Sequence, residues 1–147
     1  MRLRGITLTV GLVVIAAACG GSSYKGLSKS DYVAQASAIC QKNTVQGKAA
    51  FKSLGSSPTE QQVIDFVKSK AVPLYNQELV ELRKLKPPQA DRNTVNTILD
   101  DEQAATNDAG TNTKQFVDQG STAVTKKADA EAIAYGLKDC VTGSTSG

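Results

Sequence analysis

The chain has no histidine and no tryptophan, one methionine, and only 5% aromatic residues in 147 positions. Without an imidazole, the usual nucleophilic triads and the commonest general base are excluded. The same gap counts against a zinc site, because isolated cysteines do not make a tetrahedral ligand set. Scarce aromatics remove a stacking platform for sugars or bases. Charge is nearly balanced, with 17 basic and 14 acidic residues, and no cluster of Lys and Arg marks a nucleic-acid face. Long apolar runs are missing too: residues 5–15 fall well short of the roughly 20 needed to span a hydrocarbon core. Finally, no alternating strand pattern or hairpin signal occurs, which leaves an all-α fold class.

What is present begins with an export signal. Arg2 and Arg4 form a basic start, residues 5–15 an apolar middle, and Ala16-Ala17-Ala18 a small-residue end, the order of a cleavable leader. Ala16-Ala17-Ala18 alone would suit plain secretion with cleavage after Ala18. The next residue is Cys19, and Ile15 to Gly20 resembles the lipobox of bacterial lipoproteins, although that family usually has Leu where this chain has Ala16. The resemblance implies a signal peptide over residues 1–18, a diacylglycerol on the Cys19 thiol, and attachment of the mature chain to the outer face of the cell membrane. Two acyl chains give durable anchoring where one does not.

Removing the leader leaves 129 residues, enough for one domain with one core. If lipid consumes Cys19, then Cys40 and Cys140 remain as one pair in an oxidising compartment; the alternative is two unpaired buried thiols. The Gly/Ser-rich residues 19–27 read as a lipidated cysteine and flexible linker. Ser22 to Lys25 also matches S-x-x-K, but nothing downstream completes that acylating motif.

Helix signals fill residues 28–140. Ser28 with Asp31 is a capping box, followed by an apolar stripe through Tyr32, Ala36, Ile39, Cys40, Asn43, Gly47 and Phe51. Thr59 with Gln62 starts a second helix; Pro73 interrupts its stripe, which resumes at Leu74, Tyr75, Leu79 and Leu82, so a kink at Pro73 is expected. Asp91 is the expected cap of a third helix bearing Val95, Ile98, Leu99, Ala105 and Ala109. A fourth is expected over residues 113–140, with Phe116, Val117, Val124, Ala128, Ala132, Ile133, Tyr135 and Leu137 facing in and Gly120 and Gly136 as weak points. Residues 141–147 read as a tail. The simplest arrangement is an up-down four-helix bundle with short connections, in which the last helix returns Cys140 to the half of the first that holds Cys40.

The L-S-K-S-D-Y start, the cysteine eight residues on, Pro87-Pro88 and the closing Y-G-L-K-D-C resemble small helical lipoproteins and secreted proteins of actinobacteria. These motifs are structural; the resemblance implies a paired Cys40 and Cys140 and supplies no catalytic residue. The remaining titratable groups add little. Asp100, Asp101 and Glu102 are consecutive, so they fan around a helix as a solvated acidic face. Tyr32, Tyr75 and Tyr135 lie on apolar stripes as core aromatics. The expected protein is therefore a non-enzymatic, membrane-tethered interaction domain without a cofactor or metal, meeting an envelope protein and no nucleic acid. The alternative is a small-ligand carrier whose pocket, opened by the Pro73 kink, is lined by Phe66, Tyr75, Leu79 and Tyr135.

Overall fold

The computed structural model describes residues 24–141. All regular structure there is helical: α1 (Lys29–Lys52), α2 (Glu60–Phe66), α3 (Val72–Leu82), α4 (Arg92–Thr111), α5 (Thr113–Gln119) and α6 (Ala123–Tyr135), closed by a 3-10 turn at Lys138–Cys140. The leader, Cys19 and the start of the linker lie outside the described residues, as do positions 142–147 of the tail.

Local chemistry accounts for the boundaries. The Ser28 hydroxyl accepts from the Asp31 N–H at 3.1 Å and starts α1, and the Thr59/Gln62 capping box starts α2. Between α2 and α3 the chain is π-helical over Val67–Ala71, so Pro73 falls in the first turn of α3, where a missing N–H costs little. Asp91 precedes α4, but its carboxylate makes no cap; it accepts a hydrogen bond from Tyr135 Oη at 3.0 Å.

The fourth expected helix is two. Gly120 takes φ +70 and ends α5, and Gly136 takes φ +115 and ends α6, both in the left-handed region that suits glycine at a helix end. A second capping box, Thr122 with Thr125, restarts the chain at α6. The break also rotates the buried face. Thr125, Ala128, Ala132 and Tyr135 point inward, while Val124 and Ile133 are 39% and 46% exposed. β-branched apolar residues beside a stripe of alanines suggest a core face; instead the alanines are buried, Ala105 and Ala109 on α4 and Ala128 and Ala132 on α6, and α4 packs on α6.

The core is built by Tyr32, Ala36 and Cys40 of α1, Leu79 and Leu82 of α3, Val95, Ile98 and Leu99 of α4, Ala132 and Tyr135 of α6, and Leu137 and Cys140 beyond it. The α4 helix packs on both α3 and α6, and α1 packs on α3 and on the closing turn. There the Cys40–Cys140 disulfide joins positions 100 residues apart with Cα atoms 4.9 Å apart. Nearby, Tyr32 and Tyr135 meet edge to face at 6.2 Å. The end of the expected linker is also held: Tyr24 Oη donates to the Pro87 carbonyl at 2.9 Å, the Leu27 N–H donates to the Lys86 carbonyl at 3.0 Å, and Arg92 lies over the Tyr24 ring. Polar, glycine-rich composition hid the single aromatic that ties this segment down.

Candidate functional site

Two places combine unusual chemistry with geometry. The first is an open groove of about 460 Å³ between the second half of α1 and the run from α2 into α3. Asn43, Gly47 and Phe51 recur every fourth residue of α1 and so share one face, with Thr44, Lys48 and Lys52 one residue further round. Phe66, Ala71, Leu74 and Tyr75 form the opposite wall, and Val141 closes one end. Phe51 and Phe66 meet edge to face at 5.3 Å, yet Phe51 remains 41% exposed. Gly47 leaves the α1 wall open: a Cβ there would sit 3.5 Å from Leu74 Cδ2, in ordinary contact. The floor is apolar, and the α1 rim carries the two lysine side chains.

The second place is inside. Glu78 of α3 and Glu102 of α4 are only 6% and 7% exposed. They line a void of about 10 Å³ with Leu79, Leu82, Ile98, Thr106 and Cys140. Burial pushes the Glu78 carboxyl up to about 7, opposed by a hydrogen bond from Asn43. Burial also pushes Glu102 up to about 8, helped by the negative field of Asp129, Glu78, Asp101 and Glu131. Glu102 Oε1 has no hydrogen-bond partner. A ligand oxygen of Glu78 and the sulfurs of Cys40 and Cys140 lie within 4.8 Å of one another. Such carboxyls suit acid-base chemistry by their affinity for protons, but a void this small holds about one water and no substrate.

The four expected pocket residues do not share a site. Phe66 lines the groove; Leu79 faces the core and its small void; Tyr75 lines both. Tyr135 lies elsewhere, beside Lys29, whose ammonium sits 4.3 Å from its ring centre. Cys40 and Cys140 are joined as expected. Glu102 departs from the acidic face assigned to it. Asp100 and Asp101 do project outward, to Arg83 and Lys127, but Glu102 points between α3 and α4. A signal was present: Glu102 is four residues after Ile98 and three before Ala105, and Glu78 is midway between Leu74 and Leu82, so each interrupts an apolar stripe. Gly47 and Phe51 were on the α1 stripe, but nothing in their spacing distinguishes a groove from a core.

The chain matches no known protein-family model, no curated protein and no solved structure. The reading of function therefore rests on the site itself.

Proposed function

We propose that the chain is an exported lipoprotein, cleaved before Cys19 and anchored through it, whose domain acts at the outer face of the membrane by binding and without catalysis. We read its helices as an up-down four-helix bundle, with α2 and α3 forming one helix bent near Pro73 and α5 with α6 forming another. The ligand class the groove fits best is an amphipathic anion with a hydrocarbon tail. One observation carries this reading: a groove of about 460 Å³ with the apolar walls Phe51, Phe66, Leu74 and Tyr75 and with Lys48 and Lys52 on its rim. That volume falls within the range of small-molecule sites, and an apolar wall left in water costs free energy until something covers it.

The test is titration with a fluorescent long-chain fatty acid. Saturable binding of one equivalent is expected, abolished by Gly47→Leu, which fills the groove, and weakened by Lys48→Ala with Lys52→Ala. Binding that survives Gly47→Leu overturns the reading. The exposure of Phe51 also favours a second version, in which an apolar side chain of an envelope protein occupies the same groove. In that case the fatty acid does not bind, and cross-links from Phe51 replaced by a photoreactive residue reach a protein in cells.

A further inference from the structure

The core void beside the disulfide brings together four groups with metal-binding chemistry, from four separate parts of the chain. Cys40 comes from the middle of α1, Glu78 from α3, Glu102 from α4, and Cys140 from the closing turn. All four are buried, and the ligand atoms of Cys40, Glu78 and Cys140 lie within 4.8 Å of one another. In the disulfide the sulfurs bond each other and are poor ligands. Separated, they are thiols placed against a carboxylate. Tetrahedral zinc, with bonds of about 2.3 Å to sulfur and about 2.0 to 2.2 Å to oxygen, sets its ligand atoms roughly 3.5 to 4 Å apart. Once the S–S bond opens, the sulfurs must move apart to reach that spacing, while Glu78 is already within 4.8 Å of both.

We propose that reduction of Cys40–Cys140 converts this cluster into a buried site for a zinc-class divalent cation, with Cys40, Cys140 and Glu78 as protein ligands and Glu102 orienting the fourth. Two observations point to a ligand here. Glu102 Oε1 is a buried oxygen without a partner, on the wall of the void shared by Glu78 and Cys140. The void itself, at about 10 Å³, has the space of one water or one ion, beside the three protein ligand atoms. The redox step balances with a dithiol as reductant. It delivers two electrons and two protons to the disulfide and is itself oxidised to a disulfide, leaving two thiols. Binding the cation then releases the thiol protons to solvent. Entry is through the closing turn, because Cys140 sits on a 3-10 segment of three residues, and so short a segment opens at lower cost than a helix. The cation then bridges the same two positions as the disulfide and keeps the 100-residue loop closed.

The experiment uses the full chain in detergent with Cys19→Ser, so that Cys40 and Cys140 are its only thiols. It is titrated with cadmium before and after treatment with dithiothreitol. The reduced chain is expected to bind one cadmium with an ultraviolet thiolate-to-metal band and to retain or regain its helical circular dichroism; the oxidised chain shows no band. Glu78→Gln should weaken cadmium at least tenfold while the oxidised variant keeps its helical spectrum. A disulfide that dithiothreitol cannot open in the folded chain, absence of the band, or a reduced chain that unfolds and stays unfolded with cadmium each overturns the proposal. So does a Glu78→Gln affinity equal to the parent's, which would mean that two thiolates alone capture the ion.

Discussion

The middle and the C-terminal end of α1 face opposite situations. Around Cys40 the chain is dense, cross-linked and closed, yet it encloses two carboxyls that burial penalises. Around Phe51 it is open, and leaves aromatic and aliphatic walls in contact with solvent. Packing for stability alone would do the reverse, with polar groups at the open end and hydrocarbon at the closed one. Both departures run against folding free energy, which is why each marks a candidate site. They differ in what can enter: about one water at the closed end and a small molecule at the open end.

Breaking the closed end should have the largest effect. Replacing Cys40 and Cys140 by serine removes a cross-link over 100 residues, worth about 4 to 5 kcal/mol in the chain-entropy model. For a domain of this size that corresponds to a fall in Tm of about 15 °C or more, measurable by calorimetry. Tyr75 lines both places and Asn43 of the groove hydrogen-bonds Glu78 of the void, so whether a ligand in the groove still binds below the new Tm measures how far the two are coupled.

The buried carboxyls should be visible next, in the pH dependence of stability. Both pKa values are raised on folding, from 4.5 to about 7 for Glu78 and about 8 for Glu102. The folded chain therefore holds protons that the unfolded chain has released. Stability is greatest, as far as these two groups decide it, below about pH 4.5, and declines from there until pH passes 8. The combined loss is of order a few kcal/mol. Urea unfolding at pH 5 and pH 8.5 measures it. Glu78→Gln with Glu102→Gln should flatten the profile and stabilise the domain at the higher pH; an unchanged slope would mean that other groups set it.

How much of this contrast was legible beforehand follows from what periodicity records. The disulfide, the Ser28 cap, the Thr59/Gln62 capping box and the extents of α1 and α4 all have local signals, and they were readable. The division at Gly120 was less so, because an alanine-rich segment carries little contrast between its faces, and the Val124 and Ile133 side chains tipped the balance wrongly. Glu102 disappeared into a run of three acids, where only its register with Ile98 and Ala105 set it apart. The groove was legible only in part: Phe66 and Tyr75 were expected in a pocket and line it, but the α1 wall was not. An apolar stripe states that a face is to be covered and does not state by what, so Phe51 reads as core whether or not another helix arrives.

At the open end, stability and binding should come apart. Phe51→Ala deletes a half-exposed ring whose main partner is the Phe66 edge contact at 5.3 Å, so it should cost only about 1 kcal/mol of stability, against the 3 to 5 or so of a buried phenylalanine. Fatty-acid affinity should fall at least tenfold in the same variant, because the ring is a wall of the groove. A stability loss as large as that of a core residue would instead make the groove an extension of the core.

The smallest expected change is also the sharpest. Gly47→Ala adds one methyl to the groove wall at ordinary contact distance from Leu74, within α1, where alanine is favoured over glycine by up to about 1 kcal/mol. If the groove is solvent awaiting a ligand, the substitution should stabilise the helix by a few tenths to 1 kcal/mol in urea unfolding while measurably weakening the fatty acid. If both quantities rise together, the methyl is filling a packing defect between α1 and α3. The glycine would then be an imperfection of the core and not an opening in it. Opposite signs for stability and affinity at one atom are what a binding surface predicts, because the helix gains from the side chain that the ligand must give way to.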